Sequence, residues 1–333
     1  MRFSELELNW GFEFNSLRME THEKEVLNEL KPHNNPLKKL ELVSYRGIEF
    51  SNWVGDPSFH RLTKVSIDGC EECTSLPRIG QLPSPRKLII GRMSKVKVVG
   101  LKLLGTGLTF PSLKILRFDS MSGWEEWSTN SGAFPCLQEL HIEDCPNLVR
   151  VSLEALPSLR VLKLIKCDHG LLKSLVDAAS SITKFKIDDI SGLTDELWRG
   201  VIGCLGAVEY VSIKRCNDIR YLWESEAGAN EMRSFGELLH LLPSSLTDFG
   251  IDGFEKLESV SSGLQHLTSL QRLIIQNCPK TTDLPEKLLP SLLIMWISGC
   301  PNLKQKISRG GIYWPQVSLI PCFRIDGILP NEI

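Results

Sequence analysis

Cys70 and Cys73 form the only C-x-x-C pair of the chain. Such a pair binds zinc when a second pair lies nearby, and it exchanges disulfides in some folds. The other eight cysteines have no metal-ligand spacing, which favours a structural role for both thiols. The seven histidines are dispersed singly, and the G-x-S-x-G and H-E-x-x-H motifs of hydrolases do not occur. The sequence therefore predicts no enzyme, no metal site and no cofactor.

Charge and composition argue against two further classes of protein. Lys and Arg total 38 against 40 Asp and Glu, whereas nucleic-acid-binding domains carry a basic excess. No segment approaches the roughly 18 continuous apolar residues of a membrane helix, and no apolar segment typical of a signal peptide follows Met1. We expect no nucleic-acid partner, no membrane insertion and a cytoplasmic location.

A repeat with the register L-x-x-L-x-L-x-x-C extends along the chain. The fourth and sixth positions are apolar in all eleven clear units, which begin 22 to 28 residues apart except for one step of 38. A match at Phe3, Leu6 and Leu8 predicts a further unit at the N-terminus. The eleven clear units begin at Leu37, Leu62, Pro85, Leu113, Leu137, Leu159, Ile182, Val208, Leu246, Leu270 and Leu292.

This spacing predicts the fold class. Two apolar residues separated by one outward residue are typical of a short strand with one buried face. A period of about 24 residues is that of leucine-rich repeats, and one such unit cannot bury its apolar face without its neighbours. We therefore predict an α/β leucine-rich-repeat solenoid: a horseshoe with a concave parallel β-sheet and irregular or short-helical convex arms.

The register also predicts the domain organisation. Residues 1–333 would form a single domain of about twelve repeats. The first unit lies near residues 3–36, with a helix at 21–31. Clear units cover 37–313, and a closing segment covers 314–333. The step of 38 residues contains a polar loop at 224–231.

The ninth position of the repeat is cysteine in six of the eleven units. A small, polarizable side chain with a weak S–H donor suits a turn beneath the strand, where backbone groups need partners. The architecture thus accounts for six of the ten cysteines. These are Cys70, Cys145, Cys167, Cys216, Cys278 and Cys300.

The candidate binding residues are the outward side chains at the third, fifth and seventh positions, because solenoids bind partners on the concave face. The fifth positions form a basic strip in mid-chain and become apolar towards the C-terminal end, where Tyr210 is a neighbouring anchor. Acidic residues at the seventh position flank the strip, so its charge fits either cross-strand pairing or binding. The predicted protein-binding residues are Arg117, His141, Lys163, Lys186, Tyr210, Ile274, Ile294 and Trp296.

Several short motifs occur along the chain in an order that is shared with a known protein family. They are WVGDPSF (53–59), CEECTSLP (70–77), GQLPS (80–84), FPSL (110–113), WEEW (124–127) and CPNL (145–148). With them, the chain resembles the leucine-rich-repeat region of plant intracellular nucleotide-binding immune receptors (NLRs) of the coiled-coil class. One departure is Pro85, which replaces an expected Leu and predicts a weaker apolar contact. No G-x-x-x-x-G-K-[ST] motif occurs, so the resemblance extends to the repeats without the nucleotide-binding domain.

The resemblance implies a non-catalytic protein-recognition module of a plant immune receptor. Its partner would be a pathogen effector, a guarded host protein, or a nucleotide-binding domain whose inactive state the repeats help to hold. The alternative is a substrate adaptor of a ubiquitin ligase. Repeats of such adaptors also have cysteine at the ninth position, and Thr194-Asp195-Glu196-Leu197 is similar to one of their elements.

Overall fold

The structure is a computed structural model that describes residues 4–11, 20–32, 36–105, 109–223 and 242–329. The chain divides into two compact units, Met1–Ala179 and Ser180–Ile333. Each unit repeats the same strand, turn and return arm, which is the leucine-rich-repeat architecture predicted from the register. The predicted loop at 224–231 lies outside the described residues, as does Phe3.

The first unit contains a main sheet of parallel strands that pair in chain order. The predicted register is also the pairing register, since Leu40 lies opposite Val65 and Val65 opposite Leu88. The strands of this sheet are β1 (Glu5–Asn9), β2 (Lys39–Val43), β3 (Lys64–Asp68), β4 (Lys87–Gly91), β6 (Ile115–Asp119), β8 (Glu139–Cys145) and β10 (Val161–Cys167).

A second, smaller parallel sheet lies in the return arms of the first unit. Its strands are β5 (Val98–Val99), β7 (Glu126–Ser128) and β9 (Arg150–Ser152). Trp127 of β7 is buried, and so is Trp124, whose ring centroid lies 4.5 Å from that of Phe118. The two tryptophans of the WEEW motif are therefore part of the core. The prediction of irregular or short-helical arms did not include this sheet.

The described residues of the first unit also form three α-helices, α1 (Glu20–Glu29), α2 (Leu101–Leu104) and α3 (His169–Ala178). The first of them lies in the segment where the sequence predicted a helix at 21–31. It is held against the repeats because Leu27 is fully buried and its carbonyl accepts a hydrogen bond from Trp53 Nε1 at 2.6 Å. At the N-terminus of α3, the Asp168 carboxylate accepts a hydrogen bond from the Gly170 backbone N–H at 2.7 Å.

The part of the second unit that the structure describes contains six parallel strands, also paired in chain order. They are β11 (Lys184–Asp188), β12 (Tyr210–Lys214), β13 (Asp248–Asp252), β14 (Arg272–Gln276), β15 (Ile294–Ser298) and β16 (Cys322–Ile325). The helices are α4 (Asp195–Cys204), α5 (Ser261–Leu264), α6 (Pro301–Ile307) and α7 (Trp314–Val317). Strand β16 lies in the predicted closing segment, where the register had placed no strand.

The core of both units consists of the positions that the register marks as apolar. The first, fourth, sixth and ninth residues of all eleven clear units are buried. Pro85 is buried with them, so the substitution retains a core residue at that position. Full burial of a Leu or Ile side chain contributes about 1.5–3 kcal/mol, and each repeat buries several such side chains against its neighbours.

The eighth position of every clear unit adopts a left-handed backbone conformation, with φ between 48° and 74°. In eight of the eleven units its N–H donates to the seventh-position carbonyl of the next repeat, as Ser44 does to Asp68 (2.8 Å) and Asn277 to Ser298 (2.9 Å). Eight of the eleven residues are not glycine, although this conformation costs such residues about 1–2 kcal/mol each. The turn is therefore fixed by the stacking of repeats rather than by local preference.

The ninth-position cysteines complete this turn. Each thiol donates to the seventh-position carbonyl of its own repeat, as Cys145 Sγ does to the Glu143 carbonyl (3.3 Å) and Cys278 Sγ to the Gln276 carbonyl (3.1 Å). The sulfur also accepts a hydrogen bond from a backbone N–H of the preceding repeat. The backbone nitrogen of Cys278, for example, lies 3.4 Å from Cys300 Sγ. These buried thiols thus satisfy backbone groups, as predicted from their position in the repeat.

Truncation of a fourth-position residue should destabilise the first unit. Replacing the fully buried Leu140 with alanine leaves a cavity between β6 and β10, and we expect a loss of about 2–5 kcal/mol. The free energy of unfolding in urea measures this loss. The control is Val149→Ala, because Val149 is 52% exposed and its truncation should cost less than about 0.5 kcal/mol. Equal losses in both variants would contradict the assigned core.

Substitution with glycine at the eighth position should instead raise the free energy of unfolding. Lys166 is exposed and has φ of 50°, so Lys166→Gly removes left-handed strain and should raise the unfolding free energy by about 0.5–1 kcal/mol. Lys173 is also exposed but lies within α3, where glycine should lower that free energy by about 1 kcal/mol. Thermal unfolding of the two variants compares these effects. Destabilisation by Lys166→Gly would refute the argument.

Candidate protein-binding surface

The outward side chains of the parallel strands form the candidate surface, here termed the open face of each unit. Residues at the third, fifth and seventh positions alternate with the buried fourth and sixth residues, so they share one side of the sheet. Their fifth-position row defines the chemistry of this face. In the first unit the row is Glu7, Glu41, Ser66, Ile89, Arg117, His141 and Lys163. In the second unit it is Lys186, Ser212, Gly250, Ile274, Trp296 and Arg324.

Three of the predicted residues lie side by side in the first unit. Strand pairing places Arg117 of β6 opposite His141 of β8, and His141 opposite Lys163 of β10. Neighbouring strands are separated by about 4.8 Å, so the three side chains form a continuous row. All three are half-buried.

Nearby carboxylates compensate part of the charge in this basic row. Lys163 Nζ lies 3.4 Å from the Glu143 carboxylate, and His141 Nε2 lies 3.5 Å from that of Glu139. Arg117 forms no ion pair within 4.0 Å among the described residues, and its buried Nε has no hydrogen-bond partner there. Within this row, the Lys163 ammonium is paired, whereas the Arg117 guanidinium retains hydrogen-bond donors for another molecule.

The environment of His141 keeps its imidazole neutral. Burial lowers its pKa below the ordinary value of 6.5, and the positive charge of Arg117 lowers that pKa further. The Glu139 carboxylate opposes this shift but does not reverse it. A neutral ring between two cations adds no charge to the row at neutral pH.

In the second unit, Lys186 and Tyr210 lie together. The ammonium groups of Lys184 and Lys186 each lie 5.1 Å from the centroid of the Tyr210 ring, within the range of a cation–π contact. Tyr210 occupies the third position of its repeat, at the start of β12. Its row continues through Asp248 and Arg272, which form an ion pair of 3.2 Å. The tyrosine is therefore next to the lysines, whereas two strands separate it from Ile294.

The apolar residues at the C-terminal end of the open face are adjacent. Ile274 lies opposite Trp296, and Ile294 precedes Trp296 by two residues on the same side of β15. The indole is 38% exposed. On its other side lies Arg324 of β16, whose guanidinium carbon is 5.8 Å from the centroid of the ring. These four residues are termed the Trp296 patch.

Sequence reasoning missed Arg324 because β16 was assigned to the closing segment. The signal was present, since Ile320, Phe323 and Ile325 repeat the spacing of the first, fourth and sixth positions. All three are buried. Applying the register once more would have placed Arg324 at an outward fifth position beside Trp296.

The C-x-x-C pair belongs to the turn architecture. Both thiols are buried, and burial raises the pKa of Cys70 to about 12. Cys73 Sγ donates to the Gly47 carbonyl at 2.9 Å. Within the described ranges, no group of three or more His, Cys, Asp or Glu side chains is arranged to hold a metal ion. The geometry assigns both cysteines to packing and backbone hydrogen bonding.

Comparison with known proteins agrees with this architecture. Residues 1–93 match the family described as R13L1/DRL21 LRRs. Over 162 residues, the chain is 40% identical to the putative disease resistance protein At3g14460 of Arabidopsis thaliana. That alignment covers 46% of this chain and 11% of the relative. The putative disease resistance RPP13-like protein 1 of the same plant is 29% identical over 270 residues, covering 77% and 24%. The chain is thus similar in its leucine-rich repeats to plant disease resistance proteins.

This leucine-rich-repeat chain thus spans 11% and 24% of the lengths of those two relatives. Among solved structures, the plant peptide hormone receptor RGFR1 in complex with RGF2 aligns at 15% identity and a TM-score of 0.21. The alignment covers 87% of this chain and 64% of that receptor. With a score this low, the fold assignment rests on the parallel sheet itself. None of the helices in the part that the structure describes is long and apolar enough to cross a bilayer.

The low pKa of His141 predicts a pH dependence of stability. In the unfolded chain, this histidine gains a proton as the pH falls through about 6.5, whereas the folded protein resists protonation. The unfolded state then binds more protons, so His141 should destabilise the fold progressively below pH 6.5 and have no such effect above it. Urea unfolding at pH 7.5 and pH 5.5 should show a smaller acid-induced loss in His141→Gln than in the wild type.

The exposed histidine His60 supplies the matched control for this prediction. His60→Gln removes an imidazole without changing the open face, so its acid-induced loss should equal that of the wild type. An equal loss in the His141→Gln variant would contradict the neutral, buried state assigned to His141.

Proposed function

We propose that this leucine-rich-repeat chain is a non-catalytic protein-recognition module that acts in plant defence. Its open face binds a pathogen effector, a guarded host protein, or a nucleotide-binding domain whose inactive state the contact stabilises. The relatives support this role, since both of those compared above carry the name of disease resistance proteins. A rigid array of outward side chains also suits the recognition of a large protein surface.

The observation that carries the proposal is the contrast between the buried and outward positions. The fourth and sixth residues are apolar and buried in every clear unit, whereas the fifth residue changes in charge and size from strand to strand. The repeat scaffold does not require this variation, because the buried fourth and sixth residues already supply the apolar contacts between repeats. Such a surface discriminates between partners through the particular side chains that it presents.

The proposed location is the cytoplasm. All ten cysteines are free thiols, and most of them are buried in the turns. Two of them, Cys278 and Cys300, are in hydrogen-bond contact without forming a disulfide. A reducing compartment would preserve these thiols and the backbone contacts that they make.

The proposal predicts a charge-dependent interaction in plant cells. The tagged full chain, co-expressed in leaf tissue with the nucleotide-binding region of a plant NLR immune receptor, should co-precipitate with that region or alter its cell-death output. Reversing the charge of the basic row with Arg117→Glu and Lys163→Glu should reduce the co-precipitated fraction at least tenfold, because like charges across an interface are strongly unfavourable. Quantitative immunoblotting of the precipitate measures this fraction.

The matched control makes the same change of charge away from the open face. Lys102 and Lys114 are exposed and lie outside the third, fifth and seventh rows, so Lys102→Glu with Lys114→Glu should leave binding unchanged. A wild-type chain that neither binds the nucleotide-binding region nor changes defence output would sink the proposal. Recovery of ubiquitin-ligase scaffold proteins in place of defence components would instead favour the adaptor alternative.

A further inference from the structure

The Trp296 patch places an exposed indole between aliphatic and cationic neighbours. Strand pairing puts Ile274 on one side of Trp296 and Arg324 on the other, each one strand spacing away. Ile294 extends the apolar surface along β15. The indole remains 38% exposed, although it lies on a sheet face whose other large aromatic, Tyr210, is covered by two lysines.

Exposed tryptophan and arginine side chains of this kind are typical of binding sites. Trp, Tyr and Arg dominate the energetics of protein interfaces, because they combine a large apolar area with a specific polar group. The apolar part here is Trp296 with the two isoleucines. The polar part is the guanidinium of Arg324, which a ring contact holds over the indole.

The charge of Arg324 identifies the complementary group. Three other cations on the strands and turns of the second unit pair with carboxylates of the chain. Arg272 pairs with Asp248 at 3.2 Å, Lys214 with Asp252 at 3.3 Å, and Arg215 with Asp188 at 2.8 Å. The adjacent Asp326 already accepts hydrogen bonds from Lys304 Nζ and the Gly299 N–H. Among the described residues, Arg324 has no carboxylate within 4.0 Å, so its charge is available to a partner.

We propose that the Trp296 patch binds a peptide segment of a partner protein in which a carboxylate lies next to an apolar side chain. The guanidinium of Arg324 pairs with the carboxylate, since a stacked guanidinium keeps its planar edge of N–H donors free for two parallel hydrogen bonds. The apolar side chain packs on Trp296, Ile274 and Ile294. This assignment rests on the protein-recognition role proposed above and specifies the chemistry of one of its contacts.

The surrounding charges favour such a peptide over nucleic acid. The carboxylates of Asp248, Asp252 and Asp326 lie on the strands and turns that flank the patch. They pair with the neighbouring cations Arg272, Lys214 and Lys304, whereas the binding of a chain of phosphates requires several unpaired cations in succession. A single carboxylate beside an apolar side chain requires only Arg324 and the indole.

Selection from a displayed library of random 12-residue peptides against the purified full chain tests the proposal. Peptides selected on the wild type, after depletion on the Arg324→Glu variant, should contain Asp or Glu within two residues of a Leu, Ile, Phe or Trp. A selected peptide should bind the Arg324→Gln and Trp296→Ala variants at least tenfold more weakly, because a hydrogen-bonded charge contributes that much to binding. Its affinity for the wild type should fall as salt is added.

The chain contains a matched control for the loss of a stacked arginine. The guanidinium of Arg309 lies 6.0 Å from the centroid of the Trp314 ring, outside the patch, so Arg309→Gln should leave peptide binding unchanged. Far-ultraviolet circular dichroism and thermal unfolding establish that each variant is folded. Arg324→Lys, which retains charge but not the planar fork, should have intermediate affinity.

Three results would overturn the assignment. They are a library that yields no peptide, selected peptides without carboxylates, and binding that is insensitive to Arg324→Gln. The co-precipitation assay with the nucleotide-binding region distinguishes a failure of the peptide-binding assignment from a failure of the proposed function. If the Trp296→Ala chain still binds that region while no peptide is selected, only the chemistry assigned to the patch is wrong. If the wild-type chain also fails in the leaf assay, the recognition role is wrong as well.

Discussion

The hydrogen bond between the eighth-position N–H of one repeat and the seventh-position carbonyl of the next is the constraint on which the rest of the structure depends. It requires positive φ at the eighth residue, at an energetic cost wherever that residue is not glycine. In return it holds successive strands in register, so that the fourth and sixth side chains of each repeat are covered by those of its neighbours. Because only backbone atoms form this bond, the outward side chains remain free to vary.

The same turn determines which charged and polar groups are available for binding. Its carbonyls also accept hydrogen bonds from the buried thiols at the ninth position. Carboxylates at the seventh position pair with cations at the eighth position of the next repeat, as Asp68 does with Arg92 and Asp188 with Arg215. Much of the charge near the turns is thereby compensated within the chain. The residues that remain for a partner are concentrated in the fifth-position row, which lies away from the turns.

The sequence predicted the features that depend on residues within one repeat. Its predictions were less complete for features that depend on contacts between several repeats. Burial at the fourth and sixth positions follows from alternation in each strand, so the register located the core. The three-stranded arm sheet depends on the pairing of arms from successive repeats, and short segments such as Val98–Val99 give no recognisable strand pattern. Tyr210 was expected to neighbour the apolar end. Three strand spacings of about 4.8 Å separate its strand from that of Ile294, so its contacts are with lysines instead.

Strand spacing also explains why one scaffold presents surfaces of different chemistry. Side chains in neighbouring strands lie about 5 Å apart, so an aromatic residue beside a cation falls within cation–π range without any further adjustment of the backbone. Lys184 with Tyr210, and Arg324 with Trp296, follow this rule. In the first unit, cations beside carboxylates form ion pairs, as Lys163 does with Glu143. Each local chemistry is thus set by two or three adjacent strands, and a single outward substitution can alter one binding patch while the turns and the buried core retain their contacts.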